Sequence, residues 1–149
     1  MITRYALKEG ASIPKRGRRE DVGYDLTVLS VERASKEHGG TSIFMIDFGV
    51  SVEPPSDHYF ELVPRSSLAW TGFIMPNSVG VIDPNYRGSL KMPLIYMGSK
   101  EQADKEACAL VGRRIAQLVL RPYLSCEFVE VSELSNSDRA SSGFGSSGL

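Results

Sequence analysis

Apolar residues in this chain never run beyond five in a row, and most of the runs are short, rich in β-branched side chains and separated by Gly and Pro. Val28 and Val31 lead into Ile43, Met45, Ile46, Phe48, Val50 and Val52, with Gly39-Gly40 before the longer group and Pro54-Pro55 after it. The same texture continues at residues 59–63, 78–82, 90–96 and 115–120. Strand-length segments at a spacing of about eight to fifteen residues, with turn residues between them, predict an all-β domain built as a sandwich, jelly roll or barrel. A membrane helix needs ~20 consecutive apolar residues, so these runs exclude one. Helical signals are few. Residues 66–70 predict one or two turns with a serine as N-cap, and residues 100–110 have a helix-prone composition that would also serve as a loop between strands.

Charge narrows the class of partner. Seventeen Lys and Arg against eighteen Asp and Glu give a net charge of −1, whereas a protein that coats a nucleic-acid polymer is strongly basic. Positive charge is therefore local. The cluster Lys15-Arg16-Gly17-Arg18-Arg19 is followed at once by Glu20-Asp21 and reads as a solvated loop. Residues 1–10 are mixed and polar, without the apolar stretch of a signal peptide. Cys108 and Cys126 lack metal or redox spacing, so the expected location is intracellular, in cytoplasm or nucleus. Residues 135–148 hold Gly and Ser with one aromatic, Phe144, and cannot fold alone. The expected organisation is a body at 1–134 and a flexible arm at 135–149, either a frayed tail or a lid that orders over a ligand.

Four segments carry the candidate chemistry. Gly80-Val81-Ile82-Asp83-Pro84-Asn85-Tyr86 puts an acid and an aromatic at a strand end, where Asp83 either caps a turn or serves as a general base. Pro64-Arg65-Ser66-Ser67-Leu68 opens the predicted helical turn, whose free N–H groups suit a phosphate. Gly112-Arg113-Arg114-Ile115-Ala116-Gln117 carries two cations and an amide into a strand. Arg139 to Gly148 supplies backbone amides able to wrap oxygen ligands. His38 and His58, the two histidines, both fall in predicted loops and are not expected to be catalytic.

Together with Val22-Gly23-Tyr24-Asp25-Leu26, and in order along nearly the whole chain, these segments resemble the five motifs of the homotrimeric deoxyuridine triphosphatase (dUTPase) family. The resemblance implies a distorted jelly roll with one short helix, assembled as a homotrimer whose three active sites each draw on several subunits. It implies Mg²⁺-dependent hydrolysis of dUTP to dUMP and pyrophosphate. Asp83 would then activate the water that attacks the α-phosphorus, and Tyr86 would pack under the deoxyribose, leaving no room for a 2′-hydroxyl. Asn77 and the backbone of Gly80, Val81 and Ile82 would hold the uracil edge. Arg65, Ser66, Ser67 and Gln117 would hold phosphate oxygens, and Asp25 would support the metal through water. From the arm, Phe144 would cover the uracil while Arg139, Gly145 and Ser146 grip the terminal phosphates.

The chain departs from the family pattern at Arg113, where an acid is usual, at Ser67, Ala140 and Ser142, where glycines are, and at Ser89, where a glutamate is. The related dCTP deaminases share the arginine-serine motif and an Asp-Pro turn, but need a glutamate shortly after it; Ser89-Leu90-Lys91-Met92-Pro93 has none. The alternative from another class is a dUTPase scaffold acting as a signalling module, with a regulatory protein partner engaged through residues 35–40 or 99–107.

Overall fold

Ten antiparallel strands and one short helix make up the chain in the computed structural model, which describes residues 1–34 and 41–137. β1 (Arg4–Leu7) pairs with β5 (Val50–Glu53) as a two-stranded ribbon. β2 (Tyr24–Thr27), β10 (Arg114–Pro122), β6 (His58–Pro64) and β8 (Gly80–Ile82) form a four-stranded sheet in that order. β3 (Ser30–Arg33), β4 (Ile43–Asp47), β9 (Lys91–Tyr96) and β7 (Phe73–Ile74) form the other.

The alternation expected of half-buried strands decides which face turns inward. β4 buries Phe44 and Ile46, β6 buries Phe60 and Leu62, and β9 buries Met92 and Leu94, while the residues between them stay partly exposed. Leu26 and Leu118 join from the first sheet, so both four-stranded sheets contribute to one core. Each large apolar side chain withdrawn from water there contributes about 1.5–3 kcal/mol. Pro93 is tolerated inside β9 because β7 is only two residues long and pairs with Ile95 and Tyr96, leaving Pro93 without a neighbour on that side.

The α-helix is α1 (Ala103–Cys108), inside the stretch that composition left open; Ala103 and Ala107 lie one turn apart and are both buried. Ser66–Trp70 is a 3₁₀ turn, and its predicted serine cap is corrected: Arg65 holds the N-cap position, and no side chain caps it. The expected strand at 78–82 is shortened to Gly80–Ile82, since Ser78 takes a φ of 56° in a tight turn. His58 opens β6 instead of lying in a loop, and its Nδ1–H donates to the Ser56 carbonyl at 2.7 Å. His38 and the rest of 35–40, like residues 138–149, lie outside the described residues. After β10, residues 123–137 form no strand within the chain and leave Phe128 96 % exposed.

Candidate active site

The sheet order puts Asp25 and Arg65 on one surface. β10 lies between β2 and β6, with Gln117 opposite Asp25 on one side and Val63 on the other. Arg65 continues that ladder one step past β6, its N–H donating to the Ile115 carbonyl at 2.8 Å. Its Nε then reaches Asp25 Oδ1 at 2.9 Å, while Arg114 Nη1 reaches Asp25 Oδ2 at 3.3 Å. Arg65 also donates to the Arg114 carbonyl at 3.2 Å. Asp25 is only 9 % exposed, so its charge stays in the fold because two guanidinium groups flank it.

Around this carboxylate, Gly17, Gly23, Arg65, Ser66, Arg114 and Gln117 line a concavity of about 510 Å³. Gly23 leaves room for the Gln117 amide, which a Cβ there would displace. Asp21 also lines the hollow, so two carboxylates and two arginines face it with a hydroxyl and an amide, a donor set able to take phosphate oxygens where the guanidinium groups point. Ser67, expected beside Ser66 on the phosphate, instead donates its hydroxyl to the Arg114 carbonyl at 3.3 Å, and it is not among the lining residues. Of the two adjacent cations Arg113 and Arg114, only the register of β10 against β2 indicates that Arg114 meets Asp25.

Asp83 stands elsewhere. β8 is an edge strand, paired with β6 through Ile82 opposite Phe60 and Gly80 opposite Leu62, and its outer backbone groups are free of any ladder. Asp83 follows directly and lines a second hollow of about 830 Å³ with Tyr59, Val81, Pro84, Asn85 and Tyr123. The Tyr59 hydroxyl donates to Glu61 at 3.0 Å, and that carboxylate raises the phenol above its usual range. Glu61 is itself lowered by Arg121, which donates to it at 2.9 Å, and then by Tyr59. Tyr86 closes a turn on Asp83, with its N–H to the Asp83 carbonyl at 3.1 Å. Its hydroxyl donates to the Ser89 carbonyl at 3.1 Å. The exposed Asn77 amide donates to the Val79 carbonyl at 3.4 Å.

The two groups sit at opposite ends of β6. Asp83 lies level with Tyr59, and the step from Tyr59 to Arg65 spans roughly 20 Å at about 3.3 Å per residue. Within one chain the structure thus gathers Asp25, Arg65, Ser66 and Gln117, and separately gathers Gly80, Val81, Ile82, Asp83 and Tyr86, with Asn77 in the turn before them. Arg139, Phe144, Gly145 and Ser146 lie outside the described residues. Among the described residues no three His, Cys, Asp or Glu side chains converge on a metal position, and no helix is long and apolar enough to cross a membrane.

Comparison with known proteins places nearly the whole chain in a family. The model of the dUTPase family matches residues 9–148. The deoxyuridine 5'-triphosphate nucleotidohydrolase of Clostridium acetobutylicum is 36% identical over 144 residues, covering 96% of this chain and 93% of its own. The mitochondrial enzyme of that name from Dictyostelium discoideum is 34% identical over 143 residues, covering 96% of this chain and 74% of its own. Among solved structures, a point mutant of the dUTPase of Staphylococcus bacteriophage 80alpha with dUpNHpp superposes with a TM-score of 0.77 at 24% identity, covering 99% of both chains, and shares the fold. With a family match along nearly its whole length, and relatives above 30% identity that it nearly spans, this chain belongs to the dUTPase family.

Proposed function

We propose that this protein hydrolyses dUTP to dUMP and pyrophosphate as a homotrimer, with sites assembled between subunits. The observation that carries this reading is the division along β6: an arginine-lined cradle at one end, and at the other an edge strand ending in an exposed carboxylate. Roughly 20 Å separates them in one chain, too far for both to act on one phosphorus atom, so a cradle from one subunit must face Asp83 of another. The exposed Phe128, Val129, Val131 and Leu134 in the extended 123–137 stretch, an apolar series left uncovered in the single chain, support such an assembly.

In the assembled site, the free edge of β8 offers backbone donors and acceptors to the uracil, with Asn77 beside it. Tyr86 lies under the sugar and excludes a ribose 2′-hydroxyl. Asp83 takes a proton from water as the water oxygen bonds to the α-phosphorus, and the bond from that phosphorus to the bridging oxygen breaks, releasing pyrophosphate. Arg65, Ser66, Gln117 and Arg114 neutralise and orient the phosphates, so catalysis rests on positioning and charge with no covalent intermediate.

The donor set also fits Mg²⁺ carried mainly by the substrate. Each Asp25 oxygen accepts one arginine and retains a lone pair for a metal-bound water. The cation would supply charge neutralisation on the phosphate oxygens. The arm at 135–149, beyond a body at 1–134, closes the site through Arg139, Phe144, Gly145 and Ser146. An intracellular location accords with the free thiols of Cys108 and Cys126.

The test is pyrophosphate release from dUTP, dCTP, dTTP and UTP, with and without Mg²⁺. Rapid turnover of dUTP alone, dependent on the metal, is expected. Folded, trimeric protein that leaves dUTP intact would refute the proposal and leave the scaffold as a partner-binding module.

A further inference from the structure

The loop that carries Asp83 and Tyr86 is anchored at its start by the ladder of β8 on β6, along its length by Arg87, whose Nη2 lies 3.7 Å from Glu53 Oε1, and at its end by a buried carboxylate. That carboxylate is Asp47, the last residue of β4, 9 % exposed. Its Oδ2 accepts Lys8 Nζ at 2.7 Å. Its Oδ1 accepts the Gly49 N–H at 2.7 Å and also the Ser89 hydroxyl. Backbone bonds on either side lock the same junction: Phe48 N–H donates to the Leu90 carbonyl at 3.1 Å, and Leu90 N–H to the Val50 carbonyl at 2.7 Å. Ser89 in turn offers its carbonyl to the Tyr86 hydroxyl. A chain of two hydrogen bonds therefore runs from a buried, charged group to an exposed tyrosine ring.

The geometry points to Asp47 as a positioning residue that sets discrimination at the sugar 2′ position, by holding Ser89 where its carbonyl fixes the Tyr86 hydroxyl. The inference rests on the reading above, in which Tyr86 and Asp83 serve dUTP hydrolysis. Tyr86 is 43 % exposed, with one side of its ring against Gly88, and the hydroxyl bond joins that contact in selecting its orientation. The anchor must itself be rigid. Asp47 is, because its three donors come from three separate segments: Lys8 after β1, Gly49 between β4 and β5, and Ser89 at the loop's end. The same tether limits Asp83, since the Tyr86 N–H closes a turn on the Asp83 carbonyl. Lys8 holds the carboxylate from the side away from the loop, and should matter to the anchor's stability more than to the ring.

The experiment measures kcat/KM for dUTP and for UTP, with melting temperature, on the full chain carrying Asp47→Asn, Ser89→Ala, Tyr86→Phe, Lys8→Met or Asp83→Asn. Ser89→Ala cuts the link on its loop side while leaving the Lys8–Asp47 ion pair intact, so it keeps the test sound even if Asp47→Asn folds poorly. The expected result is a fall of about three- to tenfold in the dUTP:UTP ratio for Ser89→Ala and for Tyr86→Phe, the worth of one hydrogen bond. The double variant should fall no further, because both changes break the same link. Lys8→Met should lower the melting temperature and leave the ratio within about twofold. An unchanged ratio in folded Ser89→Ala and Asp47→Asn, or additive losses in the double variant, would overturn the inference while an inactive Asp83→Asn upheld the site. Full turnover by Asp83→Asn would instead bring down the site reading, and this inference with it.

Discussion

Arg65 Nε lies 2.9 Å from Asp25 Oδ1, an ion pair that bridges the end of β6 to β2 across the intervening β10. The contact fixes the orientation of the Arg65 fork against a mostly buried carboxylate. Arg65→Lys retains the charge but loses the fork, and kcat/KM for dUTP should fall about tenfold or more with the fold intact. Asp25→Ala leaves two guanidinium groups facing each other and should cost about 1–3 kcal/mol in stability, read by chemical denaturation. An unchanged denaturation midpoint would show that the pair is incidental.

Asp83→Asn keeps the size and most of the polarity of the side chain while removing the proton acceptor. Turnover should drop by about 10²-fold or more with dUTP binding preserved, measured by single-turnover kinetics beside equilibrium binding. Near-normal kcat would remove Asp83 from the role of base.

Sites built between chains can be tested by mixing. Arg65→Ala and Asp83→Asn should each be nearly inactive alone. After the two are unfolded together and refolded, about a quarter of the sites should combine an intact cradle with an intact Asp83, by random assembly. Recovery of activity on that scale is expected; its absence would place the whole site within one chain, against the roughly 20 Å separation along β6.

Removal of residues 139–149 should leave the trimer, seen by light scattering, while abolishing most turnover. Undiminished activity would make the Gly/Ser segment a simple tail.

Asp47 also links stability to pH. Burial acts to raise its pKa, but bonds from Lys8, Ser89 and the Gly49 N–H, with the Lys8 charge, hold it below the ordinary 3.8. Because the folded value is depressed, its contribution is present above 3.8 and is lost as pH falls through the lower folded value. Parent and Asp47→Asn should therefore differ most in stability near neutral pH and converge as the pH falls through the depressed folded value, below 3.8. Acid denaturation curves that stay parallel would contradict this.

Much of the architecture was legible beforehand because burial imposes a period of two on β4, β6 and β9, and Gly and Pro mark the ends of such strands. The Ser66–Trp70 turn was legible as helical but not as 3₁₀. Wedged between β6 and β7, it closes with bonds from Leu68 to Arg65 and from Thr71 to Leu68, which span three residues. α1 gave a weak signal because alanines, Ala103 and Ala107, make its buried face. Among site residues, Asp25, Arg65, Gln117, Asp83 and Tyr86 stood out by motif. Arg114 did not, since neighbouring residues on a strand look alike until register assigns each a side.

The sequence by itself determined the strand content, the family motifs and the chemistry available to them, because residue type and local spacing carry that information. Tertiary structure alone decided which of those groups meet. Hydrogen-bond register across β2, β10 and β6 joined Asp25 to Arg65 and Arg114, while the antiparallel run of β8 along β6 carried Asp83 to the far end. Pairing between distant strands is a property of the folded sheet, and so is the consequence that the two groups stand at opposite ends of β6 within one chain.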